Sequence, residues 1–191
     1  MKHADALKVA ESLVEHFRPA CERIEIKGSL CRLKPDVKDI DLLIVPDLSP
    51  LPRPRAEFGK PPPPVYKTAL DKMIAEMQAD GAIILEKVGD HSKKFYLKYA
   101  GISVEMYLVL PPATWGVRSV IRTGPADFSH WMVTKKMRGG ALPNIYYVQD
   151  GAVWDSTSGT RFETPEEIDY FKLCGLLGWI EPKDRVAKWK R

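Results

Sequence analysis

The chain has 191 residues, 45% of them hydrophobic and 28% charged, a balance that excludes whole-chain disorder. That length implies one domain or two small, tightly joined ones, enough to bury a core without disulfide or metal staples. Lys and Arg number 29 against 25 Asp and Glu, a net charge of +4, and so mild an excess does not specify a polyanionic partner.

No stretch approaches the roughly 18 uncharged apolar residues of a membrane span, so no membrane partner is expected. Asp5, Glu11 and Glu15 interrupt the apolar pattern of the N-terminus, which is not the pattern of a signal peptide. Cys21, Cys31 and Cys174 are too few and too scattered for a disulfide framework or a zinc site. A reduced, intracellular compartment, cytoplasm or nucleoid, is therefore expected.

Leu7, Ala10, Leu13, Val14 and Phe17 recur at helical spacing and predict a helix over 5–18, stopped by Pro19. ERIEIKG alternates and predicts a half-buried strand running into Gly28. The apolar run at 40–45 predicts a central strand. Residues 46–64 hold 8 of the 16 prolines, which excludes helix and inner strand and predicts a long exposed loop. The alternative for that stretch is a docking segment for an aromatic-lined groove.

Leu70, Met73, Ile74 and Met77 mark a second helix ending near Gly81. AIILEKV and KKFYLKY predict a hairpin around GDHS. ISVEMYLVL alternates, with Val104, Met106 and Leu108 on one face and Ser103, Glu105 and Tyr107 on the other. Residues 113–138 are helical in pattern, broken at Gly124-Pro125, and a small hairpin follows within 144–162. Thr164-Pro165-Glu166-Glu167 reads as a capping box opening a helix through Leu173. The tail from Glu181 is basic.

Chemistry concentrates at Gly28-Ser29, Arg32 and Asp39-Ile40-Asp41. Aspartates at i and i+2 of a strand share a face, where two carboxylates repel and call for a cation or a proton. A divalent ion with oxygen ligands answers that need, and magnesium is the common choice beside phosphates. The Gly-Ser turn offers amides and a hydroxyl, and Arg32 a fork of donors, suited to the phosphates of a nucleoside triphosphate. Glu105, on an otherwise small or polar strand face, is the candidate third carboxylate of a two-metal site. An isolated Asp-x-Asp pair or Gly-Ser turn is usually only solvated; it is their order and spacing together that is specific.

GSLCRLKPDVKDIDLLIV resembles the signature of the nucleotidyltransferase superfamily: a Gly-Ser turn, an Arg, then Asp-x-Asp leading an apolar strand. VEMYLV resembles that superfamily's third-carboxylate strand. IRTGPADF resembles the Thr-Gly turn of the family X DNA polymerases, and LGWIEPKDR their closing segment. The four motifs run in order from Gly28 to Arg185, in the manner of the short viral-type members.

The resemblance implies an α+β protein. Residues 1–110 would form a nucleotidyltransferase palm with a mixed sheet and helices, and residues 111–191 a small, mostly helical C-terminal subdomain acting as fingers and thumb. It places Asp39, Asp41 and Glu105 as catalytic metal ligands for two Mg²⁺ ions, for which Mn²⁺ can substitute. Gly28, Ser29, Arg32 and Lys38 fall beside the triphosphate. Ile121, Arg122, Thr123 and Gly124 fall beside the sugar, and Asp127 and Ser129 open the helix facing the nascent pair. Ser129, Lys135, Lys136 and Arg138 are the expected DNA contacts.

The chain also departs from the family pattern. The third carboxylate is Glu instead of Asp, and Ile121-Arg122 replaces an aromatic pair. Tyr107 replaces a basic or apolar residue, and Lys38 stands where glycine is common. With about 27 residues before Gly28, no lyase domain and no lyase activity are expected.

Between Arg118 and Leu142 stand five basic residues against one acid, and between Lys183 and Arg191 five against one. Such runs suit a phosphate backbone, although each lysine alone is ordinarily just solvated. Of the tryptophans, Trp131 and Trp179 are expected in the core and Trp189 free to stack on a base. His91 and His130 receive no role.

The expected activity is transfer of a deoxynucleotide from a dNTP to the 3′-hydroxyl of a primer-template or gapped DNA, by a monomer. It would serve short gap filling or distributive synthesis. The rivals are a nucleotidyltransferase acting on RNA, a small molecule or a protein, and a non-catalytic nucleic-acid-binding module.

Overall fold

The structure, a computed structural model, describes residues 1–51 and 66–189. Most of the proline-rich stretch, residues 52–64, lies outside the described residues, and so do both readings of it.

The fold is α+β. Helix α1 spans His3–Phe17 and buries Ala6, Ala10, Leu13, Val14 and Phe17, the stripe its spacing predicts. It leads through a 3-10 turn at Arg18–Ala20 into β1, Cys21–Lys27. The Gly-Ser turn is one turn of helix, α2, Gly28–Cys31. Strand β2 is Asp39–Pro46 and helix α3 is Ala69–Ala79. Thr68 caps α3 with a reciprocal bond to Asp71, which ties down two otherwise orphaned amides. The predicted hairpin is β3, Ile83–Val88, and β4, Ser92–Leu97, followed by β5, Ile102–Leu108.

These strands form one sheet in the order β1-β2-β5-β4-β3, with β2 and β5 parallel and the other pairs antiparallel. The alternation of β2 and β5 gives the sheet two unlike faces. Ile40, Leu42, Ile44, Val104 and Met106 point into a core closed by α1 and α3, where Phe17 lies 6.4 Å from Phe95. Each such fully buried side chain contributes about 1.5–3 kcal/mol. The other face carries Asp39, Asp41, Glu105 and Tyr107.

The segment 113–138 divides into α4, Trp115–Thr123, α5, Ala126–Val133, and a 3-10 turn at Lys136–Arg138. The expected hairpin is three strands: β6, Tyr146–Gln149, β7, Ala152–Asp155, and β8, Arg161–Phe162. With α6, Glu167–Leu173, these elements build a second core around Val120, Phe128, Trp131, Val153, Tyr170 and Phe171. Leu43, Val109 and Trp115 form a small third cluster that joins the sheet to α4.

The cap of α6 is not the expected one. Glu166 is the cap, reciprocally bonded with Asp169. Thr164 is buried, and its hydroxyl is 2.5 Å from that of Thr114, so it belongs to the joint and not to the helix end. Among the described residues no helix is long and apolar enough to cross a membrane.

Candidate active site

Parallel pairing sets Asp39 opposite Ser103 and Asp41 opposite Glu105. The three carboxylates therefore rise from adjacent strands on one face, as the alternation predicts. Gly28 makes this possible, since a Cβ there would lie 1.7 Å from Asp41 Oδ2 and its φ is +65°. The residue that starts α2 thus leaves the space that the Asp41 carboxylate fills.

Asp41 is held far from its ordinary state. Burial, then the like charges of Asp39 and Glu105, raise its pKa from 3.8 to about 6, against the pull of Arg122 and Arg32. Among the described residues no three His, Cys, Asp or Glu side chains are grouped to hold a metal ion. Glu105 is engaged elsewhere: one oxygen accepts the Tyr107 hydroxyl and the other lies 3.5 Å from Lys94 Nζ. The backbone aligns the third carboxylate with the pair, while its side chain is turned to other partners.

Among the described residues, buried donors without acceptors lie at α2 and on α4, and two of them, Arg32 and Arg122, act on Asp41. Ser29 Oγ and the Nε atoms of Arg32, Arg118 and Arg122 are buried and make no hydrogen bond among the described residues. Arg118 and Arg122 lie one turn apart on α4, and burial and then Arg122 lower the Arg118 pKa. Buried donors left unpaired are costly, and an anion relieves both the lost bonds and the like-charge repulsion.

The other expected nucleotide residues fall as follows. Arg32 Nη1 donates to the Thr123 carbonyl, so this arginine clasps the Thr-Gly turn. A Cβ on Gly124, where φ is +70°, would lie 2.7 Å from the same nitrogen. Arg122 lies over the Tyr107 ring, its guanidinium carbon 3.7 Å from the centroid. Ile121 packs against the second core, Thr123 is buried, and Lys38 is exposed. Asp127 accepts from the Phe128 amide at 2.8 Å within its own helix.

The DNA contacts divide. Ser129 is buried and donates to the Val120 and Ile121 carbonyls, which fixes α5 on α4 and removes it from the surface. Lys136 and Arg138 are exposed and Lys135 is partly so. His130, Lys135 and Arg138 line a cavity of about 440 Å³ beside Tyr147. Trp131 is in the core as expected. Trp179 is half exposed, its indole donating to Glu167 at 2.8 Å, which corrects its core assignment. Trp189 packs on His130 at 5.3 Å, so the residue expected to be free has a partner.

One buried polar network is not legible in the sequence. Glu167 was read only as part of a cap, yet its carboxylate accepts from Ser119, Thr123, Trp179 and both Arg185 amino nitrogens. Arg185, from the EPKDR segment, is buried and pairs with it at 2.7 Å. A buried arginine requires an acid, and that requirement was the available signal.

A scan of protein-family models gives no match to this chain, and a search of curated proteins finds none either.

Proposed function

We propose that the chain is a nucleotidyltransferase of the family X DNA polymerase type, adding a deoxynucleotide to a DNA 3′-hydroxyl. The observation that carries this is the pairing of acids with unpartnered donors. Asp39 and Asp41 share a face with Glu105 in register. Among the described residues, Ser29 Oγ and the Nε atoms of Arg32 and Arg122 are left without acceptors.

The donor set fits a divalent cation: hard carboxylate oxygens, one of them destabilised as an anion by its neighbours. Asp39 and Asp41 would hold Mg²⁺, with Glu105 completing the set. When bound, the metal supplies activation of the hydroxyl nucleophile and neutralisation of the leaving pyrophosphate. Ser29, Arg32 and Arg122 bind and orient the triphosphate through their spare donors. The Thr123-Gly124 turn is held against α2 by Arg32 and positions the sugar. Lys135, Lys136 and Arg138 attract the DNA backbone.

The test is extension on a one-nucleotide gap, with each dNTP separately, in Mg²⁺ or Mn²⁺. Template-directed addition of one nucleotide is expected. Retained DNA binding without addition would select the non-catalytic module. Transfer to RNA, a protein or a small molecule in place of DNA would select the rival nucleotidyltransferase.

A further inference from the structure

Tyr107 connects three parts of the molecule. Its hydroxyl donates to Glu105, its ring packs on the cluster of Leu43, Val109 and Trp115, and Arg122 covers its face. Lys94, directly across the strand pair, holds the other Glu105 oxygen and also lies 3.3 Å from Glu86.

We infer that Tyr107 is a positioning residue, a latch that withholds Glu105 from the Asp39/Asp41 pair while Arg122 lies on its ring. The inference rests on the proposed metal-dependent reading and names the device that sets its third ligand. With its oxygens directed at Tyr107 and Lys94, the Glu105 carboxylate is not grouped with Asp39 and Asp41 among the described residues, so it must turn before it can serve a cation beside Asp41. The ring is fixed by the apolar joint on one side and the guanidinium on the other, so the latch is not a loose surface contact. Arg122 has an Nε with no partner among the described residues and sits on α4 beside the Thr-Gly turn. An anion that draws Arg122 off the ring loosens Tyr107 and frees Glu105. Filling of the nucleotide cleft and completion of the metal site would then be coupled through one side chain.

Tyr107→Phe deletes the hydroxyl and keeps the ring, its packing and the cation–π contact. Mn²⁺ binding to the protein alone, followed by the spin-resonance signal of the free ion, reads the latch without DNA or nucleotide. The variant is expected to bind Mn²⁺ about tenfold more tightly than the native chain, the weight of one released hydrogen bond to a charged group. The Mg²⁺ concentration for half-maximal extension should fall with it.

Equal or weaker Mn²⁺ binding by Tyr107→Phe, with binding lost in Asp41→Asn, overturns the latch and leaves the proposed function standing. A native chain that binds no Mn²⁺ overturns both. Failure of extension alone, with the Mn²⁺ difference present, overturns the polymerase reading and supports the latch.

Discussion

Asp41 and Glu167 are both largely buried carboxylates, and their surroundings push them in opposite directions. Asp41 faces two like charges and has no ion-pair partner among the described residues, so burial and repulsion raise its pKa to about 6. Burial also works to raise Glu167, but the bonds and charge of Arg185 outweigh it and leave its pKa below 4.5. One cluster is closed, each oxygen matched to donors within the chain. The other holds Asp39 and Asp41 beside guanidinium Nε atoms of Arg32 and Arg122 that have no acceptor among the described residues. A folded chain that completes one polar network and leaves another open marks the open one as a place for something else.

The sharpest way to break this contrast is Asp41→Asn. On the proposed function, removing this charge should cut nucleotide addition by about a thousandfold or more, read by single-turnover extension. The same change should stabilise the free protein. The folded chain holds the Asp41 proton more tightly than the unfolded chain, whose pKa is near 3.8. Stability from that group is therefore full below about 3.8 and lost as pH rises through about 6. Asparagine has no such titration. The variant should exceed the native protein by about 1–2 kcal/mol at pH 7.5, allowing for partial exposure of the site, and the gap should close on acidification. Thermal melts of both proteins across pH 4 to 8 check this. A variant less stable than the native chain at pH 7.5 would mean that Asp41 is a structural partner.

Glu167→Gln probes the closed cluster. It removes the negative charge that pairs with Arg185, whose side chain has 0% exposure. Leaving that cation unpaired should cost about 3–5 kcal/mol and lower the melting temperature by roughly 10 °C. Its pH response is the mirror of the first. A lowered carboxylate contributes stability above its ordinary pKa of 4.5 and loses it as pH falls through the lower folded value. The native advantage over Glu167→Gln should therefore be present at neutral pH and shrink in acid.

The open site was more legible in the sequence than the closed one. Strand alternation put Asp39, Asp41, Glu105 and Tyr107 on one face, because side chains repeat every two residues and apolar neighbours reveal which face is inward. The helix stripe of α1 was legible for the same reason. Periodicity says nothing of partners far along the chain. Arg32 reaches Thr123 across 91 positions, which depends on how the second core docks on the sheet, and Glu167 reaches Arg185 across 18, within the second core itself. Ser129 shows the converse. Its polar side chain at the start of a helix suited a DNA contact, but Val120 and Ile121 supply carbonyls that hold it inside. The third strand, β8, is only two residues long, too short to carry any alternation.

Arg32 stands between the two clusters in kind, and Arg32→Lys decides to which it belongs. Its Nη1 is bound to the Thr123 carbonyl, as a closed partner would be, while its Nε is buried and unpaired, as the open site's donors are. Lysine keeps the charge but offers a single point of donation in place of a planar fork. It can hold the turn or grip a phosphate, not both. If the spare donor serves the triphosphate, the loss of one charge-assisted bond should raise the dNTP KM about tenfold, or ~1.4 kcal/mol, with a smaller change in kcat. The melting temperature should then move by only a few degrees, since a lysine on the carbonyl preserves the joint. An unchanged KM with a large drop in melting temperature would place Arg32 with Arg185, as a clasp between the sheet and the Thr-Gly turn. In that case Ser29 and Arg122 alone would be left to meet the anion.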